Sequence, residues 1–149
     1  MTTAKQVLLI HGPNLNMLGK REPEIYGSTT LEDIDKEMVN LGREKGLTIH
    51  TFQSNQEGAM IDRIQACFEV CQGIIINPGA YTHTSIGIRD ALLSVNLPVV
   101  EIHLSNIYKR EPFRHVSMVA DIAVGQISGF GVHGYTLAVN AMADILKTP

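Results

Sequence analysis

A glutamate and a histidine separated by one residue are the side chains in this sequence best suited to proton transfer. Glu101 and His103 fall in the stretch at residues 99–103, which has the apolar character of a buried strand. Alternate residues of a strand point to the same side, so these two side chains are expected to lie together near the strand's end. There Glu101 can orient the imidazole and hold its charge, which predicts a functional rather than a structural histidine.

A polar segment at residues 11–27 supplies a second set of candidate side chains. It follows the apolar residues 7–10 and is much longer than the usual connection between a strand and a helix. Long polar loops attached to a buried strand often carry function. Two of its side chains, Arg21 and Tyr26, can close around a ligand bound at the strand tip.

Five short stretches of strand character alternate with segments of helical periodicity. The strands are predicted at residues 7–10, 47–52, 73–76, 99–103 and 120–127. The first helix is predicted to begin after Thr30, with Asp33 completing a capping box, and the second to run from about residue 60 to near Gly73. The last two are predicted at residues 84–95 and 132–146. This alternation predicts an α/β, flavodoxin-like three-layer fold: a five-stranded parallel sheet of order 2-1-3-4-5 with helices on both faces.

Polar side chains cluster where the predicted strands end. In a doubly wound sheet, ligands bind at the carboxyl ends of the strands, near the switch point between strands 1 and 3. Residues that follow strands on this edge are Asn14, Asn77, His83, His103, Ser105 and Arg114. Amides and hydroxyls bind hydroxyl groups, and a guanidinium binds a carboxylate. The edge therefore favours a small polyhydroxylated carboxylate over a flat aromatic cofactor.

Two further motifs have plain structural interpretations. Residues 129–134, GFGVHG, fit the G-x-G-x-x-G pattern of dinucleotide-binding turns, but only one helix follows them. A tight turn with close helix packing is the preferred interpretation. Cys67 and Cys71 have no partner at metal-ligand spacing, so they are expected to be small buried hydrophobes, and no metal site is predicted.

Composition limits the class of protein. The 149 residues are 44% hydrophobic and 18% charged, which predicts a single folded domain spanning residues 1–149. A net charge of −3 without a Lys/Arg run argues against nucleic-acid binding. No apolar run approaches the length of a membrane helix, and residues 1–6 do not resemble a signal peptide, so a cytoplasmic location without membrane association is expected.

Several of these segments together resemble the signatures of the type II 3-dehydroquinate dehydratases. The matching stretches, which run in the same order as in that family and extend over essentially the whole chain, are IHGPNLNMLG at residues 10–19, REPEIYG at 21–27, NPGAYTHTS at 77–85, EIHLSN at 101–106, FRH at 113–115 and GFGVHGY at 129–135. The resemblance implies anti elimination of water from 3-dehydroquinate, through an enolate, to give 3-dehydroshikimate. This is a step of the shikimate pathway, which leads to aromatic amino acids.

The resemblance also implies a role for each matching residue. Tyr26 is similar to the family's general base, His103 to its general acid, and Arg21 to the arginine that supports the base. Asn14 resembles the residue that stabilises the enolate, and Glu101 the acid that supports the histidine. Substrate-binding positions of the family correspond to Asn77, His83, Asp90, Leu104, Ser105 and Arg114. Asp90 is expected to reach a neighbouring subunit's site within a dodecamer built as a tetramer of trimers.

The implied chemistry requires no metal or organic cofactor. A free tyrosine has a pKa of ~10 and acts as a base only if its phenolate is stabilised, which a nearby Arg21 can do. Residues 20–27 are accordingly expected to act as a mobile lid that is open when the site is empty, with residues 13–16 fixed at the strand tip.

Two other functions stay open on the sequence alone. One is a flavodoxin-like module that binds a nucleotide or flavin, although the lack of Trp and an aromatic content of 5% weigh against it. The other is a lyase that forms a Schiff base through Lys20 or Lys109, the two lysines nearest the predicted site.

Overall fold

Five parallel strands form one sheet in the order β2-β1-β3-β4-β5. The computed structural model describes residues 3–20, 24 and 27–147. Its strands are β1 (Lys5–His11), β2 (Leu47–Gln53), β3 (Gly73–Asn77), β4 (Val99–His103) and β5 (Gly125–Ser128). The predicted strand order is therefore confirmed.

In the described part of the chain, four α-helices cover the two faces of the sheet, as predicted. They are α1 (Leu31–Glu44), α2 (Glu57–Gln65), α3 (Ile86–Val95) and α4 (His133–Ile145). Helices α1 and α4 pack on one face, against the apolar cluster that contains Val7, Leu9 and Ile75. Helices α2 and α3 pack on the other face, against the cluster that contains Leu8 and Ile10. Because both faces are covered, the strands need no alternation of polar and apolar residues.

Helix α1 begins where local chemistry predicts. The Thr30 hydroxyl accepts the Asp33 backbone N–H at 3.1 Å, and the Asp33 carboxylate accepts the Thr30 N–H at 3.0 Å. This capping box satisfies two amide groups that the helix itself leaves free. The Thr30 amide also lowers the pKa of Asp33.

Two predicted element boundaries are wrong. Helix α2 ends at Gln65 rather than near Gly73, because the chain turns there and Glu69 adopts a φ of +62°. The fifth strand begins at Gly125 rather than at residue 120. The segment before it is turned, since the Val119 carbonyl accepts the N–H groups of Ile122 and Ala123 at 3.1 and 3.0 Å.

The two cysteines lie in the turn after α2 and are both buried, as expected. Cys67 is fully buried, and burial raises the pKa of its thiol to about 12. It therefore behaves as a small apolar side chain. Among the described residues, no helix combines the length and the apolar character that crossing a bilayer requires.

Strands β1 and β3 approach very closely where they leave the sheet. The Gly12 N–H donates to the Asn77 carbonyl at 2.7 Å. A Cβ built on Gly12 would lie only 2.2 Å from the Pro78 carbonyl oxygen. Glycine is required here by space, since a backbone atom cannot move aside as a flexible side chain can.

We expect Gly12→Ala to destabilise the protein by about 1–3 kcal/mol, the usual cost of forcing an extra group into a packed interior. The measurement is the free energy of unfolding in urea. Gly58→Ala is the matched control, because a Cβ on Gly58 would meet nothing within 4 Å. A Gly12→Ala protein as stable as that control would contradict the steric argument.

Candidate active site

A small cleft opens at the carboxyl ends of β1, β3 and β4, where the sequence predicts a site. Six predicted site residues line it: Asn77, His83, His103, Leu104, Ser105 and Arg114. Its volume is about 210 Å³, less than the ~300 Å³ at which pockets for drug-sized molecules begin. The cleft therefore suits a small, polar ligand.

Glu101 and His103 form a buried pair at the end of β4, as their spacing predicts. The Nε2 atom of His103 lies 2.6 Å from Oε2 of Glu101, with side-chain exposures of 6% and 0%. A carboxylate only accepts hydrogen bonds, so Nε2 donates. This leaves Nδ1 of His103 as the ring nitrogen that can serve a ligand in the cleft.

Three other side chains donate hydrogen bonds to the Glu101 carboxylate. The hydroxyls of Thr82 and Ser117 donate to its Oε2 at 2.5 and 2.8 Å, and the Gln126 amide donates to its Oε1 at 3.1 Å. Burial raises the pKa of Glu101, but the hydrogen bonds from His103, Thr82 and Ser117 together outweigh burial and lower it. A buried charge is tolerated because it is fully hydrogen-bonded.

The His83 ring lies beside that of His103. Their centroids are 6.5 Å apart and their planes differ by 19°. The Nδ1 atom of His83 lies 2.9 Å from the Val116 carbonyl and donates to it, because a carbonyl oxygen only accepts. This bond fixes the ring, whose other nitrogen, Nε2, is left as an acceptor when the imidazole is neutral.

Positive charge reaches the cleft from the segment after β4. Arg114 lines the cleft and is held by Glu111, whose Oε1 accepts its Nε–H at 3.2 Å. Its guanidinium also lies 5.2 Å from the centre of the Phe113 ring. Arg110 lines the cleft as well and was not predicted as a site residue. Its place in the same polar stretch, four residues before Arg114, was the available signal.

Among the described residues, three predicted site residues do not line this cleft: Asn14, Asp90 and Glu101, which lies behind His103. Asn14 is exposed after β1, in a left-handed conformation, and Asp90 is exposed on α3. Arg21 and Tyr26 lie outside the described residues, as does most of the predicted lid.

The residues that precede and follow the predicted lid lie against each other. A Cβ built on Gly19 would lie 2.7 Å from the carbonyl oxygens of both Ser28 and Thr29. Glycine is suited to this contact, and its φ of +75° is one that other residues rarely adopt. The described residues on either side of the predicted lid are therefore in close contact.

The glycine-rich turn before α4 packs against β4 rather than offering its amides to a ligand. The N–H groups of Gly129 and Gly131 donate to the carbonyls of His103 and Leu104 at 3.3 and 2.9 Å. A Cβ on Gly134 would lie 3.2 Å from the Ile102 side chain. These contacts fit the predicted tight turn with close packing, and they occupy amides that a nucleotide phosphate would need.

Neither lysine considered for Schiff-base chemistry belongs to the described lining of the cleft. The ammonium of Lys20 lies 3.9 Å from Glu32 on the surface, and Lys109 is exposed. Over the described part of the chain, His, Cys, Asp and Glu side chains nowhere gather in threes as a metal site would require.

Comparison with known proteins identifies relatives along nearly the full chain. The family described as "Dehydroquinase class II" matches residues 5–143. The 3-dehydroquinate dehydratase of Ruegeria pomeroyi is 57% identical over 141 residues, which are 95% of each chain. The catabolic 3-dehydroquinase 1 of Neosartorya fischeri is 57% identical over 139 residues, which are 93% of each chain.

Solved structures give the same result. The type II dehydroquinase of Butyrivibrio crossotus superimposes with a TM-score of 0.89 at 43% identity, covering 96% of this chain and 99% of its own. This chain belongs to the class II dehydroquinase family.

Proposed function

We propose that residues 1–149 form one catalytic domain that dehydrates 3-dehydroquinate to 3-dehydroshikimate. The observation that carries this proposal is the hydrogen-bonded pair of Glu101 and His103 in a cleft that also contains Asn77, Ser105 and Arg114. Elimination of water from a hydroxylated ketone requires a base, an acid and donors aimed at the enolate oxygen. Such a cleft, in a chain of this family, supplies the acid and the donors.

The acid of the reaction is His103. As the carbon–oxygen bond breaks, the Nδ1–H of a doubly protonated His103 is transferred to the departing hydroxyl, which leaves as water. The ionised carboxylate of Glu101 stabilises the positive imidazole before transfer and holds it in place afterwards. Thr82, Ser117 and Gln126 keep that carboxylate fixed and ionised.

The base is Tyr26, acting as a phenolate that Arg21 stabilises. It removes the proton next to the ketone, and the electron pair forms an enolate. Asn14 stabilises the enolate oxygen, through a bound water. Its place three residues after β1, with its N–H held by the Asn55 side chain at 3.0 Å, supports this role. Expulsion of the hydroxyl from the opposite side then completes an anti elimination.

The remaining polar residues bind the substrate's carboxylate and the hydroxyls that do not react. Arg114 binds the carboxylate, and Asn77, His83 and Ser105 bind hydroxyls, with Leu104 closing the cleft beside them. Water, side chains and substrate are sufficient for this reaction. Activity is accordingly expected to survive dialysis against a metal chelator.

The direct test is formation of the conjugated enone from 3-dehydroquinate, followed by ultraviolet absorbance. Tyr26→Phe should lower kcat by at least ~10²-fold, the usual contribution of a general base, while substrate still binds in a calorimeter. Thr48→Val is the control, because it also removes one hydroxyl and this exposed residue of β2 does not line the cleft. An unimpaired Tyr26→Phe enzyme would remove tyrosine from the role of base.

The lowered pKa of Glu101 predicts how stability depends on pH. A carboxyl group whose pKa is lower in the folded protein stabilises the fold above its ordinary pKa of 4.5, and that contribution is lost as the pH falls through the lower folded value. We expect Glu101→Gln to cost about 1–3 kcal/mol at neutral pH, because its donors lose their charged acceptor. The loss of stability caused by Glu101→Gln should be smaller at acidic pH.

Urea unfolding at neutral and acidic pH measures this effect. Glu44→Gln, at an exposed position on α1, is the control and should behave as the wild type at both values. An equal cost for Glu101→Gln at both pH values would show that the charge of Glu101 does not contribute.

We further propose that the chain assembles as a dodecamer, a tetramer of trimers, in which Asp90 enters the cleft of a neighbouring subunit. Three exposed residues of α3 support this arrangement. Asp90 lies on the same helix face as Ile86 and Leu93, because the spacings are four and three residues. Ile86 and Leu93 are 60% and 50% exposed, which is a typical feature of a surface that a second subunit covers.

Mixing two inactive variants tests whether Asp90 acts across subunits. Asp90→Ala and His103→Ala should each be inactive alone. After unfolding and refolding together in equal amounts, about a quarter of the sites in a cyclic trimer would combine an intact His103 with a neighbour's intact Asp90. Recovery of about a quarter of wild-type activity is expected. No recovery, with normal assembly, would place Asp90 outside the neighbour's site.

A further inference from the structure

A series of hydrogen-bonded polar side chains, buried except for Asp35, lies behind the cleft, on the sheet face covered by α1 and α4. His11, the last residue of β1, is fully buried, and both of its ring nitrogens have partners. Its Nε2 lies 2.7 Å from Oδ1 of Asp35 on α1, and its Nδ1 lies 3.1 Å from the hydroxyl of Tyr135 on α4. That hydroxyl also accepts the Asn77 side-chain N–H at 3.1 Å. The proposed reaction makes no use of these groups beyond Asn77.

The directions of these hydrogen bonds follow if the His11 imidazole is neutral. The Asp35 carboxylate only accepts, so Nε2 of His11 donates, and in a neutral imidazole Nδ1 must then accept. The Tyr135 hydroxyl therefore donates to Nδ1 and accepts from Asn77. Burial raises the pKa of Tyr135, so its hydroxyl keeps the proton that this arrangement needs.

The orientation of the Asn77 amide follows from two separate contacts. The Gly79 N–H can only donate, and it points to Oδ1 of Asn77 at 3.2 Å. The other half of the amide, Nδ2, must then face Tyr135. One N–H of Nδ2 is used by the tyrosine. The second has no protein partner among the described residues, in a side chain that lines the cleft.

The register of β1 and β3 allows His11 and Asn77 to share Tyr135 as a hydrogen-bond partner. His11 and Asn77 are paired residues of the parallel strands β1 and β3, so their side chains lie on the same face. Tyr135 on α4 bridges them from above, and its ring centre is 5.4 Å from that of His11.

We propose that Asp35, His11 and Tyr135 are positioning residues that lock the Asn77 amide so that it presents an N–H donor, rather than its oxygen, to the ligand. The inference rests on the proposed function for the identity of that ligand, a hydroxylated carboxylate. A fixed donor selects a substrate oxygen at that point of the cleft. It acts in ground state and transition state alike, so its loss should appear in KM more than in kcat.

Tyr135→Phe removes the hydroxyl and keeps the ring. We expect KM for 3-dehydroquinate to rise about tenfold, the effect of one misplaced hydrogen-bonding group, with kcat changed less than threefold. In an Asn77→Ala background the same substitution should leave KM nearly unchanged, since Tyr135 acts through Asn77. Additive effects, or an unchanged KM in Tyr135→Phe alone, would overturn the proposal.

A control variant separates positioning from general destabilisation. Val139→Ala shortens a fully buried side chain one turn further along α4. It should lower Tm and leave KM unaltered. Should Tyr135→Phe fail to fold, Asp35→Ala serves instead, because the Asp35 side chain is 25% exposed and its loss leaves no cavity in the core. It is expected to raise KM about threefold, again only when Asn77 is present, and an unchanged KM would overturn the proposal.

A second arm of the experiment needs no substrate. Nitrogen-15 NMR of the wild type should show His11 as the neutral Nε2–H tautomer and slow exchange of the Asn77 side-chain N–H, with faster exchange in Tyr135→Phe. A His11 ring protonated on Nδ1 alone, or Asn77 N–H exchange that Tyr135→Phe does not change, would refute this series of hydrogen bonds. If the NMR results are as expected but 3-dehydroquinate is not dehydrated, the proposed function fails while the positioning chain stands.

Discussion

The buried negative charge of Glu101 is the constraint on which the cleft depends. An isolated carboxylate in a protein interior is strongly unfavourable unless hydrogen bonds replace its hydration. Here the donors come from widely separated parts of the chain: Thr82 after β3, Ser117 before β5, Gln126 on β5 and His103 on β4 itself. Satisfying one carboxylate therefore fixes the positions of three segments that shape the site.

The two faces of the sheet contribute different kinds of group to the same cleft. Glu101 and His103 belong to the face covered by α2 and α3, where the carboxylate accepts a hydrogen bond from the imidazole. His11 and Asn77 belong to the opposite face, where a line of hydrogen bonds orients an amide. The strand ends are the one place where side chains from both faces meet, which is why doubly wound sheets place ligands there.

Local patterns predicted much of this architecture. Continuous apolar strands, the Thr30 and Asp33 capping box and the Glu101 and His103 spacing all depend on neighbours in sequence. The start of β5 was missed because apolar residues near Val119 pack against the core from a turn rather than from a strand. Thr82, Ser117 and Gln126 carry no local signal, since only the folded chain brings them to Glu101. The same holds for Tyr135 and Asp35, which reach His11 from two helices.

The meeting of Gly19 with Ser28 and Thr29 has a consequence for how such a protein can diversify. Because the two ends of the intervening segment already touch, its length is almost decoupled from the rest of the fold, and doubling it would add only about 0.6 kcal/mol of closure entropy. Residues inserted between Gly19 and Ser28 would therefore cost the rest of the fold little stability.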